Sequence, residues 1–221
     1  MKTSSFLRIV IIGILSSGFA QVSTHNLQPG QSKVVLQISM DPTPLATLGY
    51  LQAKEVFSQQ LVTEVSLAVP IFLFDFKHYR LEFGAHQTVL RYGNWRVLSR
   101  TALTSTGTST EMFDAYNFAL AQSFLPGYYG RNWYLTGELG FTKYLATHLT
   151  HSQWYLNNVY SAAESGWYGS TGGKFDFGLQ TGYTFKEKIG VSLRLGLNKT
   201  ETFQNPFFVP IYIGVSTDVS F

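Results

Sequence analysis

His148 and His151, three residues apart, are the histidines of this chain best spaced for chemistry. On a helical turn they would share a face and could hold a metal ion, with Glu164 as a third ligand. The spacing is common by chance and no HExxH motif accompanies it, so no metal centre is assigned. His151 and Ser152 suggest a second chemistry, a hydroxyl nucleophile beside its base. A triad, however, needs hydrogen-bond reach and an acid that orients the base. Neighbours on a strand point to opposite faces, and no hydrolase signature surrounds either residue. Catalytic residues and cofactors are therefore both read as none. The Gly-Ser-Thr-Gly-Gly run at 169–173 lacks the lysine and flanking elements of a phosphate loop. The absence of cysteine excludes disulfides, thiolate metal sites and a cysteine-linked lipid anchor.

The other chemistry-bearing groups recur at alternate positions along apolar segments. Glu64, Arg80, Glu82, His86, Arg96, Arg100, Glu138, Lys174, Asp176, Arg194 and Asp218 all oppose an apolar face. Acids and bases are balanced among them. Such charges, if enclosed, must be paired, because an unpaired buried charge is costly.

What positions them is a series of strands. Apolar residues at every second position mark segments 33–40, 61–74, 79–91, 95–103, 113–124, 133–144, 174–185, 191–197 and 211–221. Segment 45–56 has a blurred pattern and is the weakest, so eight strands result if residues 33–56 do not pair and ten if they do. Turn-formers separate them: Phe57 to Gln60, Tyr92 to Asn94, Pro126 to Gly130 and Lys186 to Lys188 as short connections at one end. At the other end the spacing predicts connections at 41–44, 75–78, 104–110, 199–208 and, longest, 145–173. Charged residues make up only 13% while mean hydropathy is +0.03, the intermediate value that alternation produces.

In the closing segment Ile211, Ile213, Val215, Val219 and Phe221 alternate with Tyr212, Gly214, Ser216, Asp218 and Ser220. An apolar outer face, a polar inner face and an aromatic carboxyl terminus resemble the last strand of Gram-negative outer-membrane β-barrels. The resemblance implies an all-β, antiparallel up-and-down transmembrane barrel of about ten strands spanning 33–221. It also implies that Ile213, Val215, Val219 and Phe221 serve as an assembly signal read by the barrel-assembly machinery. Outer-membrane lipids and lipopolysaccharide would be the other partners, and the barrel a monomer. A soluble sandwich fits less well, because the faces opposite the apolar ones are small and polar. Trp95, Trp133, Tyr79, Tyr183 and Phe185 lie near strand ends, as aromatic girdles do.

Residues 1–20 read as a signal peptide, with Lys2 and Arg8 before an apolar core and small residues at Gly18 and Ala20. Residues 21–32 would form a short periplasmic lead-in. Removing the leader takes away two bases and no acid, so net charge falls from +3 to +1. That leaves no electrostatic case for nucleic acid. In segment 145–173, His148, His151, Trp154, Tyr155, Tyr160, Trp167 and Tyr168 are the recognition candidates, or cap the barrel mouth. The functional expectation is a non-enzymatic outer-membrane barrel with a charge-paired, filled lumen and a structural, adhesive or recognition role. A narrow pore and a lipid-modifying enzyme are the alternatives.

Overall fold

The structure, a computed structural model, describes Thr24 and residues 26–40, 43–71, 77–204 and 210–221. The expected signal peptide, part of the 21–32 lead-in and parts of the 41–44, 75–78 and 199–208 connections lie outside the described residues. The chain forms a closed antiparallel barrel of ten strands in sequence order, with the first hydrogen-bonded to the last. The strands are β1 Ser32–Met40, β2 Pro44–Val56, β3 Gln59–Pro70, β4 Tyr79–Tyr92 and β5 Trp95–Ser109. They continue as β6 Phe113–Tyr129, β7 Trp133–His151, β8 Gly166–Phe185, β9 Ile189–Thr200 and β10 Ile211–Ser220. A short helix α1, Gln153–Asn158, follows β7.

Alternation decides which face is which. Leu36, Ile38, Leu48, Leu103, Leu139, Leu179, Leu195 and Val215 all stand exposed on the outside. A continuous apolar belt of that extent is unstable in water and stable against hydrocarbon. No helix among the described residues is long and apolar enough to cross a membrane, so the crossing elements are the strands. Ile213, Val215, Val219 and Phe221 belong to this belt. Ser32 and Phe221 exchange backbone hydrogen bonds at 2.9 Å, which ties the chain end into the closing seam.

The expected ten strands are present: the blurred segment 45–56 is a full strand, paired on both sides. Three expectations need correction. Residues 104–109 are strand, because the side chains of Thr104, Thr106 and Thr108 fill the interior. The turn placed at Pro126 to Gly130 lies at 130–132, since β6 runs on to Tyr129, with Pro126 paired to Val97 on one side and Gly127 to Thr136 on the other. The connection 145–173 contracts to residues 152–165, because β7 and β8 run on as a pair up to Leu149 and Gly166.

The strands are unequal. β1 has 9 residues and β10 has 10, whereas β5 to β8 have 15, 17, 19 and 20. At about 3.4 Å per residue and about 40° of tilt, β7 rises roughly 50 Å. The apolar band needs about 25 Å, so β7 and β8 extend about 25 Å beyond it. The tall strands make a wall on the side away from the short turns, with α1 at its crest.

Candidate functional site: the charged lumen and its two mouths

The inward faces carry the charges that alternation assigned to them. Glu64, Arg80, Glu82, His86, Arg100, Glu138, Lys174, Asp176, Arg194 and Asp218 are all buried; Arg96, near the short-turn end, is half-buried. Lys33 is buried as well, although its place at the start of a strand gave no such signal. Among the described residues the buried cations are Lys33, Arg80, Arg100, Lys174 and Arg194, and the buried anions are Glu64, Glu82, Glu138, Asp176 and Asp218, so the two sets balance before His86 is counted.

They are arranged in clusters that bridge different strands. On the β3–β5 side, Arg100 donates through Nε and Nη2 to the two oxygens of Glu64 at 3.0 Å each, and from Nη2 to Glu82 at 2.5 Å. His86 Nε2 lies 2.5 Å from Glu64 Oε2. A guanidinium fork facing a carboxylate is the geometry that best offsets the desolvation of both ions. On the opposite wall, Arg194 forks onto Glu138, with Nε 2.6 Å from Oε2. The Tyr212 hydroxyl donates to the same carboxylate at 3.3 Å, and the Arg194 guanidinium lies 4.2 Å from the Tyr212 ring centroid. Lys174 donates to Asp176 at 2.8 Å. At the seam Lys33 Nζ stands 2.8 Å from Asp218 Oδ1, a charge contact without hydrogen-bond alignment.

Glycine makes room for one of the large inward tyrosines. Tyr212 pairs with Gly196, which pairs in turn with Gly178. A Cβ at either glycine would fall inside the space of the tyrosine ring or hydroxyl. The ring therefore lies flat across two strands, where it roofs the Glu138–Arg194 pair.

Above and below the ions the interior changes character. Toward the tall wall, Asn117 accepts from Thr147 at 2.7 Å, Thr147 meets Thr171 at 2.8 Å, and Asn117 donates to Thr106 at 3.4 Å. Toward the short turns two apolar clusters form, Leu98, Leu125, Tyr129 and Tyr134 on one side and Val35, Leu51, Ala53 and Val62 on the other. Leu27 from the lead-in segment inserts into the second cluster and is 3% exposed. The segment is stitched there by Gly30 N to Ala53 O at 2.9 Å and Ala53 N to Gln31 O at 3.0 Å. Asn26 reaches the far wall, donating to Arg131 O at 3.1 Å and Thr184 Oγ1 at 3.4 Å. The lead-in thus crosses the mouth, a role its polar sequence did not announce.

The recognition candidates separate. An extra residue, Leu145, breaks the register of β7 against both neighbours. Even-numbered residues face inward up to Tyr144; beyond the bulge Thr147, Leu149 and His151 do. His148 and His151 are therefore on a strand and not a helical turn, and they face opposite ways. His148 packs outside, 4.9 Å from Trp167, which stacks on Phe118 at 6.1 Å. His151 faces inward under Tyr155, at 5.3 Å. Its Nδ1 is 3.5 Å from Ser165 Oγ, whereas Ser152 accepts from Tyr155 N as the N-cap of α1. The serine beside the imidazole in space is thus Ser165, fourteen positions on. Tyr168 donates to Glu164 O at 2.6 Å, while Trp154 and Tyr160 stand exposed on the crest. Among the described residues no three His, Cys, Asp or Glu side chains are grouped as a metal site would require.

No protein-family model matches the sequence, and no curated protein matches it. Among solved structures, the chain is similar to Ail, the attachment invasion locus protein of Yersinia pestis, at 11% identity and a TM-score of 0.40 over 88% of this chain and 100% of that one. It is similar to Omp33 of Acinetobacter baumannii at 9% identity and a TM-score of 0.36, over 87% of this chain and 98% of that one. The outer membrane phospholipase A of Escherichia coli gives 11% identity and a TM-score of 0.36, covering 87% of this chain and 94% of that one. At such identities these likenesses concern barrel architecture alone.

Proposed function

We propose that this chain is an outer-membrane barrel whose lumen is closed to solutes and whose working surface is the raised β5–β8 wall with its 152–165 crest. The observation that carries this reading is the interior: balanced buried ions, a Thr/Asn layer, two apolar clusters and a strap of chain across one mouth. A ten-stranded barrel has room for side chains or a thread of water, not both. Where a pore would run, the Glu64–Arg100–Glu82, Glu138–Arg194, Lys174–Asp176 and Lys33–Asp218 contacts occupy the interior. The exposed Trp154 and Tyr160 above the apolar band suit a recognition or adhesive contact, since large aromatics at a loop crest dominate binding surfaces. Lipopolysaccharide and outer-leaflet lipid meet the Phe118–Trp167–His148 group on the outer face of the same wall.

The deciding experiment is planar-bilayer recording of the folded full-length mature chain at high salt. The proposal expects a silent bilayer, with heat-modifiable gel mobility showing that the barrel is folded. Reproducible unitary currents would replace it with the pore reading.

A further inference from the structure

The outer belt differs from one side of the barrel to the other. On β8, β9 and β10 Phe177, Leu179, Leu193, Leu195, Ile213 and Val215 all stand exposed. Thr181 and Thr217 share that wall, but each turns its hydroxyl onto a backbone carbonyl, of Tyr134 and of Gly190 respectively. On β4, β5 and β6 the apolar belt narrows around Gln87, Ser99, Thr101 and Gln122. Alternation puts all four on the outer face, since their chain neighbours His86, Arg100 and Ser123 are buried inside. The ladder draws them together, because Gln87 pairs with Ser99 and Thr101 with Gln122.

Their depth is what makes them unusual. Trp95 meets Tyr128 edge-on at 5.8 Å and Tyr128 stacks on Trp133 at 4.9 Å, an aromatic row of the kind that marks the membrane interface. At about 3.4 Å per residue and about 40° of tilt, Ser99 and Thr101 stand roughly 10 and 16 Å beyond Trp95, in the middle of a band about 25 Å deep. Carboxamides and hydroxyls at that depth are costly unless they are hydrogen-bonded. Gln122 is answered inside the patch, accepting from Thr101 at 2.5 Å and donating to Ser99 at 2.8 Å. Gln87 is exposed and, among the described residues, its carboxamide has no hydrogen-bond partner. An acyl chain supplies none.

A second copy of this chain does. The side chains of the patch are uncharged and able to both donate and accept, so the patch complements itself about a two-fold axis. Ala85, Ser99 and Thr101 are small enough to let two walls approach closely. Charges farther from the short turns agree with such an axis. Lys77, exposed, precedes β4, whereas Glu111, exposed, and Asp114 lie at the start of β6. Tyr79 pairs with Gly107 and Ser109 with Asp114, which sets these charges near one level of the wall. A two-fold axis through β5 places β4 of one copy against β6 of the other, so that Lys77 of each faces the acids of its neighbour.

We infer that two copies of this chain pack in the membrane through β4, β5 and β6, with Gln87, Thr101 and Gln122 hydrogen-bonding across the contact. A dimer then replaces the monomer that the resemblance implies. The inference rests on the membrane reading above.

The test uses the full mature chain, labelled with donor or acceptor through Y160C and reconstituted in phosphatidylcholine vesicles. Native barrels should transfer energy to one another, and Q87L/Q122L should need a protein-to-lipid ratio about tenfold or more higher to match them. L195A, on the opposite wall, should behave as native. All three should show heat-modifiable gel mobility, since leucine suits a lipid-facing position. In unlabelled chains T101C should cross-link to a second copy through a short bis-maleimide, and L195C should not. Energy transfer unchanged by Q87L/Q122L, absent from native barrels at every ratio, or lost equally in L195A overturns the inference. So does equal cross-linking from the Thr101 and Leu195 positions, or a T101C cross-link in cell membranes that captures another protein and never a second copy. A chain that never enters the vesicles overturns the membrane reading, and this inference with it.

Discussion

Replacing Arg194 by methionine would strip Glu138 of its counter-charge while leaving the volume nearly unchanged. Both side chains are almost wholly enclosed, at 3% and 2% exposed. Glu138 would keep only the Tyr212 hydroxyl, 3.3 Å away. Two charge-assisted hydrogen bonds are lost and one carboxylate stays buried, a combination that costs about 3–5 kcal/mol. E138L, which strands the guanidinium, should cost a similar amount. Removing both partners, as E138L/R194M, leaves a neutral, filled site and should fall within about 1 kcal/mol of native. The three variants thus predict a coupling energy of at least about 3 kcal/mol, well outside additivity. Urea unfolding in lipid vesicles, followed by tryptophan fluorescence and by gel mobility, measures all three. Additive losses, or a single-variant loss below about 1 kcal/mol, would refute the claim that the lumen ions are dry and mutually compensating.

Two further outcomes follow from the interior packing. G196A should destabilise the barrel by about 1–3 kcal/mol, since the new methyl falls in the space of the Tyr212 ring, and Y212L in the same chain should recover part of the loss in the same unfolding assay. L27A should loosen the strap across the short-turn mouth by about 2–3 kcal/mol without unfolding the barrel. Hydrogen exchange at the Gly30 and Ala53 amides would then quicken by about thirtyfold or more, while the Arg194 and Tyr212 amides keep their native rates.

Much of the barrel is legible in the chain because a lipid-facing strand must place an apolar side chain at every second position. That rule located the inward charges from Glu64 to Asp218 and made Phe221 an outward residue. It failed where one residue changes the phase. Leu145 is inserted into β7 with nothing in its type to show it, so His148 and His151 part company instead of sharing a surface. Thr104, Thr106 and Thr108 looked like a loop because a Ser/Thr/Gly run is equally suited to solvent and to a polar interior. Segment 45–56 looked weak because Gly49, Gln52 and Ala53 dilute an alternation that its neighbours on both sides enforce. Lys33 and Leu27 were out of reach for another reason. Their partners, Asp218 and the Val35–Leu51–Val62 cluster, come from barrel closure and a chain reversal, neither of which has a local signature.

Water access to the lumen tests the closed-barrel account most directly, and the native chain has no cysteine to confuse the label. Ser192 lies mid-strand, 4% exposed and 2.5 Å from Ser216 across the seam of β9 and β10. With S192C and Y160C prepared in lipid vesicles, a membrane-impermeant charged maleimide should modify the Tyr160 position on the crest within minutes. It should leave the Ser192 position unmodified until the barrel is unfolded in urea. Comparable labelling rates at the two positions in the folded barrel would contradict the account.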